Sequence, residues 1–327
     1  MEPAADGRIR LTVLGGFLGS GKTTWLRHQL HRGSLRDAVI IVNEAAERPV
    51  DDALLARASR LLVLAGGCAC CTGRDDLVEL LRRLCDQRLG SDSRLATAKH
   101  IVLETSGLAD PGPIVDAIRS DPILIHHIVV SEIVVTVDAL NGLEQMRREP
   151  LSRQQVETAD RLIVTKIDEA GFPAVRRLLA TLAQLNPGAA LSGAIMGGST
   201  DLPDFAGVEP ETLGEFSDEA RGPIAAVRLD LWDAVDWTAF SLWLSALLHA
   251  RGDEVMRVKG VVRTPAGRLL LQSVRKFVQQ PEILPETGEE AGLDDNSVVF
   301  IGRGFTAEDL RRSLRYFAGE EEGSRWH

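Results

Sequence analysis

The first residues whose types and spacing point to chemistry lie in a glycine loop near the start of the chain. Residues 9–24 read IRLTVLGGFLGSGKTT, and GGFLGSGKT satisfies G-x-x-x-x-G-K-[ST] with Gly16, Gly21, Lys22 and Thr23 at the defining positions. Glycines let successive backbone N–H groups turn inward around phosphate oxygens, and the positive end of a following helix adds to that field. In this pattern the lysine reaches the β- and γ-phosphates, and the Thr23 hydroxyl ligates Mg²⁺. The candidate nucleotide contacts are therefore Gly16, Gly19, Ser20, Gly21, Lys22, Thr23 and Thr24.

A second cluster is Cys68-Ala69-Cys70-Cys71. Only four cysteines occur, and three of them stand in this tetrapeptide. A loop can turn Cys68 and Cys70 to one side while a bend adds Cys71. Three thiolates form an incomplete tetrahedron for a soft or borderline cation such as Zn²⁺ or Co²⁺. The fourth position is left for water, a carboxylate or a ligand from an acceptor protein. An open shell suits a site that gives its metal away, because structural zinc prefers four closed ligands. The competing reading is three small buried residues or a redox pair. Cys85 stands alone on the apolar face of a predicted helix and reads as core.

Two further clusters select a nucleotide. TKID (165–168) ends an apolar run: Asp168 can accept two hydrogen bonds from the N1 and N2 donors of guanine, which adenine lacks, with Lys166 along the base and Thr165 before it. Leaving a buried carboxylate unpaired beside adenine is what makes such discrimination strong. ETSG (104–107) ends another run. Glu104 can serve the Mg²⁺ shell or orient a water, and the Gly107 N–H can contact the γ-phosphate, so that hydrolysis releases the turn. Asp138, closing VVTVD, is a further Mg²⁺ candidate, or else a helix cap.

The elements that position these clusters can be read from apolar runs. Residues 9–14, 37–44, 60–67, 100–107, 131–140 and 159–168 are strand-like, and 75–89 and 172–185 carry helical spacing. Continuous apolar strands alternating with helices predict an α/β fold with a mainly parallel sheet, and ligands then bind at the carboxyl ends of the strands. Residues 197–222 are acidic, rich in glycine and proline, and read as a linker. Beyond it come a strand (223–231), a helix (237–250), a hairpin (255–264 and 268–277), a strand (297–302) and a helix (307–317), which predict a smaller α+β domain. The expected division is 1–196, linker 197–222, 223–319, and a tail 320–327.

At 327 residues the chain exceeds one comfortable core. The net charge of −10 opposes a general nucleic-acid or anionic-membrane surface, and no apolar run approaches membrane-spanning length. Crowded thiols without a disulfide framework predict a reducing, cytoplasmic setting.

GGFLGSGKTT, VNE, GGCACC, VLETSGLADP, TVDAL and TKID, in this order, resemble the CobW-type GTPase family of metal chaperones, and MRVKGVV, LLLQSV and VVFIGR resemble its C-terminal domain. The resemblance implies a P-loop GTPase domain using GTP and Mg²⁺, and a transition metal at Cys68, Cys70 and Cys71. It also implies coupling between nucleotide state and metal affinity, and delivery to a client apo-metalloprotein. It makes Lys22, Glu104 and Glu47 the catalytic candidates; Glu47 and Asp51 match the family pattern. Three features depart from it. Ala45-Ala46 replace a Phe-Gly pair, Thr165 replaces asparagine, and the linker has no histidine. The pair His126-His127 precedes a predicted strand and is read as structural. No arginine finger is evident, so slow unassisted hydrolysis is expected. A metal or redox sensor without delivery and a P-loop small-molecule kinase are the alternatives; the sequence leaves a homodimer open.

Overall fold

The computed structural model describes residues 7–35, 37–43, 60–64, 74–89, 99–214, 225–232, 236–252, 254–274, 277–278, 281–284 and 295–318. Cys68, Cys70, Cys71, Glu47 and Asp51 lie outside them. The chain divides into two compact units, Met1–Phe216 and Ser217–His327.

The first unit runs β1 (Ile9–Gly16), α1 (Lys22–Arg32), β2 (Ala38–Asn43), β3 (Arg60–Leu64), α2 (Arg74–Leu89), β4 (His100–Glu104), α3 (Pro111–Ser120), α4 (Leu124–His127) and β5 (Ile128–Asp138). It continues through α5 (Gly142–Arg148), α6 (Pro150–Thr158), β6 (Arg161–Thr165), α7 (Phe172–Leu185), β7 (Ala190–Ile195) and β8 (Gly198–Thr200). The strands form one 8-stranded sheet in the order β3-β2-β4-β1-β5-β6-β7-β8. All neighbours pair in parallel except β7 with β8. Leu11, Val13, Leu14, Ile40, Leu103 and Val134 are fully buried, as helices on both faces require of a parallel sheet.

Because the strands from β3 to β7 run one way, their carboxyl ends share one edge. Asn43, Glu104, Asp138 and Thr165 close β2, β4, β5 and β6 there, and all four are buried. β1 lies in the sheet centre between β4 and β5, so the loop after it opens at the middle of this polar edge.

Part of the expected linker is structured. Gly198–Thr200 adds an antiparallel edge strand to β7, and the Glu211 backbone N–H donates to Thr181 Oγ1 at 2.8 Å. Neither β7 nor β8 shows an apolar alternation in sequence. Cys85 is buried in α2, as expected. His126 and His127 end the one-turn α4, with His126 exposed, and β5 starts directly after them.

The second unit contains β9 (Ala225–Asp230), α8 (Trp237–Arg251), β10 (Val255–Thr264), β11 (Gly267–Val274), β12 (Phe277–Val278), β13 (Glu282–Leu284), β14 (Ser297–Gly302) and α9 (Ala307–Phe317). An antiparallel sheet of order β12-β11-β10-β14-β9, with β13 pairing β11, carries both helices over one apolar cluster. Phe240 and Trp243 of α8 anchor that cluster, with Trp243 edge-on to Phe300 of β14. Asp236 caps α8 and a Thr306/Asp309 capping box starts α9, so local signals and packing agree. No helix among the described residues is long and apolar enough to cross a membrane.

Candidate functional site

The glycine loop joins β1 to α1, and backbone conformation explains its glycines. Gly16, Gly19 and Gly21 have φ of +135°, +75° and +90°, a region that side chains oppose. At Gly16 space is the second reason: a Cβ there would lie 2.5 Å from both the carbonyl and the hydroxyl oxygen of Thr136. Gly21 is the N-cap of α1, and having no side chain it leaves the first-turn N–H groups without a cap bond. Such groups are what a phosphate needs.

Around this loop the structure gathers several predicted residues. Lys22 is buried and its Nζ donates to the carbonyls of Gly16 and Phe17, at 2.9 and 3.2 Å, across the loop. Thr23 Oγ1 donates to Glu104 Oε1 at 2.5 Å, which brings the two Mg²⁺ candidates from α1 and β4 together. A buried carboxylate beside a hydroxyl is an all-oxygen donor set, and Mg²⁺ takes oxygen. The residues present therefore fit the ion. Thr24 follows on the exposed side of α1.

Gly107 also belongs here. A Cβ on it would lie 2.7 Å from the Leu18 backbone nitrogen, so the ETSG turn meets the loop backbone where only glycine fits. The turn is held from below by Gln155, whose Nε2 donates to the carbonyls of Gly107 (3.3 Å) and Ala109 (2.8 Å). Thr165 Oγ1 donates to the Ser20 carbonyl at 2.8 Å and ties the TKID segment to the loop. Asp168 is exposed in the turn that follows.

Two of the predicted residues are held by partners elsewhere in the protein. The Asp138 carboxylate is fully buried and bonded at both oxygens. Oδ1 accepts the Leu140 N–H at 2.8 Å, and Oδ2 accepts Asn141 Nδ2 at 2.9 Å and Lys166 Nζ at 2.7 Å. Burial would raise this carboxyl, but those three donors outweigh it and hold it below the ordinary range. Its charge is committed to Lys166. Ser20 is likewise a loop-shaping residue: it is buried, with Oγ 2.7 Å from Thr136 Oγ1 and its N–H on the Phe17 carbonyl.

Thr136 and Gln155 are the residues that motif reading misses. Each acts across the fold, and neither stands in a recognisable pattern. The turn at Met196-Gly197 likewise carries no motif. It lies against α1, where a Cβ on Gly197 would meet the Thr24 carbonyl at 2.7 Å. Among the described residues, no group of three or more His, Cys, Asp or Glu side chains is placed to hold a metal ion.

Residues 10–192 match the model described as CobW/HypB/UreG, nucleotide-binding domain, which covers more than half of the chain. The chain belongs to the CobW/HypB/UreG family. Residues 224–318 match the cobalamin synthesis protein cobW C-terminal domain, so both units carry the family's pattern. The zinc chaperone YjiA of Escherichia coli is 31% identical over 324 residues, covering 95% of this chain and 98% of its own. The zinc chaperone CobW of Pseudomonas aeruginosa is 28% identical, covering 82% and 81%. Among solved structures, the Zn(II)-bound YjiA GTPase from E. coli superposes with a TM-score of 0.59 at 27% identity, covering 98% of this chain and 100% of that one. The P-loop α/β fold with a smaller α+β domain, expected from the sequence, is the one found.

Proposed function

We propose that this CobW-family protein hydrolyses GTP and carries a zinc ion, bound at Cys68, Cys70 and Cys71, to a client metalloprotein. The observation that carries this reading is the likeness to a zinc chaperone over nearly the whole of both chains. Chemistry supports it. β3 ends at Leu64 on the carboxyl edge of the sheet, and Cys68 follows four residues later in sequence. A thiolate site that gives up its metal belongs in a reducing compartment, and we place the protein in the cytoplasm on that ground.

GTP is held by the glycine loop. On binding a triphosphate, Lys22 exchanges the carbonyls of Gly16 and Phe17 for the β- and γ-phosphates. Mg²⁺, when bound, neutralises charge on the phosphates, and Thr23 and Glu104 are the residues that would hold it. Gly107 brings its turn to within reach of the loop, so the segment can report the γ-phosphate. Asp168 and Lys166 read the base, and Glu47 joins Lys22 and Glu104 as a catalytic candidate. The chain does little covalent chemistry; it positions water and phosphate and stabilises charge.

Nucleotide choice tests the hydrolase half. The full chain is expected to favour GTP over ATP in kcat/KM by roughly 10²-fold or more, because Asp168 is left without its donors beside adenine. Steady-state phosphate release with each nucleotide measures this. ATP hydrolysed as readily as GTP would move the protein to a kinase-like class.

A further inference from the structure

The guanine-reading role of TKID leaves one question open: what holds Lys166 in place. Lys166 has φ of +57°, a conformation sparsely populated by residues other than glycine. Such a backbone persists only where the surroundings fix it, and it marks sites where a side chain must be aimed. The surroundings are specific. The Lys166 ammonium, 32% exposed, sits 2.7 Å from the Asp138 carboxylate, which is 2% exposed. Asn141 Nδ2 donates to the same Oδ2 at 2.9 Å, and the Leu140 N–H holds the other oxygen, Oδ1, at 2.8 Å. The preceding residue is fixed as well. Thr165 Oγ1 bonds the Ser20 carbonyl, and the Ala139 N–H donates to the Thr165 carbonyl at 3.0 Å. The ends of β5 and β6 and the phosphate loop are thereby joined through side chains.

We propose that Asp138 is a positioning residue for base recognition: it fixes Lys166 along the guanine pocket and takes no part in holding magnesium. The proposal rests on the reading of TKID as the guanine selector. It explains how Thr165 can stand where the family has asparagine. The hydroxyl keeps the bond to the loop but offers no amide to the base, so base binding leans more on Lys166 and on the carboxylate that aims it.

The test is GDP binding by the full chain, followed with a fluorescent GDP analogue, in Mg²⁺ and again in EDTA. Asp138→Asn, which keeps the shape but removes the charge, is expected to weaken GDP by about tenfold or more in both buffers, as loss of an orienting partner does. Lys166→Met should weaken it similarly, and the double variant no further than Lys166→Met alone. A loss seen only with Mg²⁺ would make Asp138 a magnesium residue and overturn the proposal, and so would additive losses. Should Asp138→Asn not fold by circular dichroism, Asp138→Ser, which keeps an acceptor for the Leu140 N–H, takes its place: weakened GDP binding in EDTA supports the pairing, and unchanged binding overturns it. Failure of the guanine reading looks different. The unmodified chain would then bind ADP as tightly as GDP, whereas failure of this proposal leaves a guanine-selective chain indifferent to Asp138→Asn.

Discussion

Gly16→Val is expected to weaken nucleotide binding by roughly 30-fold to 10⁴-fold while leaving both units folded. The first Cβ atom already falls 2.5 Å from the Thr136 carbonyl, which belongs to the central strand β5 and cannot swing aside as a side-chain tip could. The second cost is conformational, since φ at this position is +135°. Overpacking costs about 1–3 kcal/mol, and a side chain in a sparsely populated region costs about 1–3 kcal/mol more. Their sum of about 2–6 kcal/mol lowers the population of the phosphate-ready loop by roughly 30-fold to 10⁴-fold. The loop can relax to another shape, so the penalty falls on binding rather than on folding. Calorimetric titration with GDP measures it, with thermal melting as the fold control. Unchanged GDP affinity would mean that the loop adopts some other shape around phosphate.

The second large effect is expected at Glu104. Its carboxylate receives the Thr23 hydroxyl at 2.5 Å while buried at the end of β4. A hydroxyl oriented this way turns its lone pairs outward, as a ligand to a cation must. Glu104→Gln keeps the shape, but the charge that attracts the cation is gone. Loss of such supporting partners costs roughly 10- to 100-fold in metal affinity or activity. GTP hydrolysis should fall by that factor and demand more Mg²⁺, whereas GDP binding in EDTA should change little. Phosphate release over a Mg²⁺ series separates the two. Hydrolysis unaffected at every Mg²⁺ concentration would remove Glu104 from the ion's surroundings.

The sequence is legible where one residue type has one physical reason to be there. The apolar runs of the parallel strands and the glycines of the loop are of that kind, and both lie where expected. The family, read from motifs in both halves, is the one the comparisons return. Legibility fails where a role depends on what folds against a residue. Asp138 ends a central strand, flanked by the magnesium side and the base side alike, and only the fold shows its carboxylate turned to Lys166. Ser20 and Thr136 are 116 residues apart, and Gln155 acts on a carbonyl 48 residues before it. No spacing rule reaches so far. β7 and β8 are hard to read for a different reason: ALSGAI and GST are short and rich in small residues, and half-exposed strands at the end of a sheet, β8 at its edge and β7 next to it, have little need of an apolar pattern.

Carriage of zinc under nucleotide control is tested most directly by titrating the full chain with Zn²⁺ against a competing chelator, once with a non-hydrolysable GTP analogue and once with GDP. Zinc affinity is expected to differ between the two nucleotide states by about 5- to 150-fold, and the Cys68→Ser, Cys70→Ser variant to bind weakly in both. Equal zinc affinity in the two states, or undiminished binding by the double-serine variant, would contradict it.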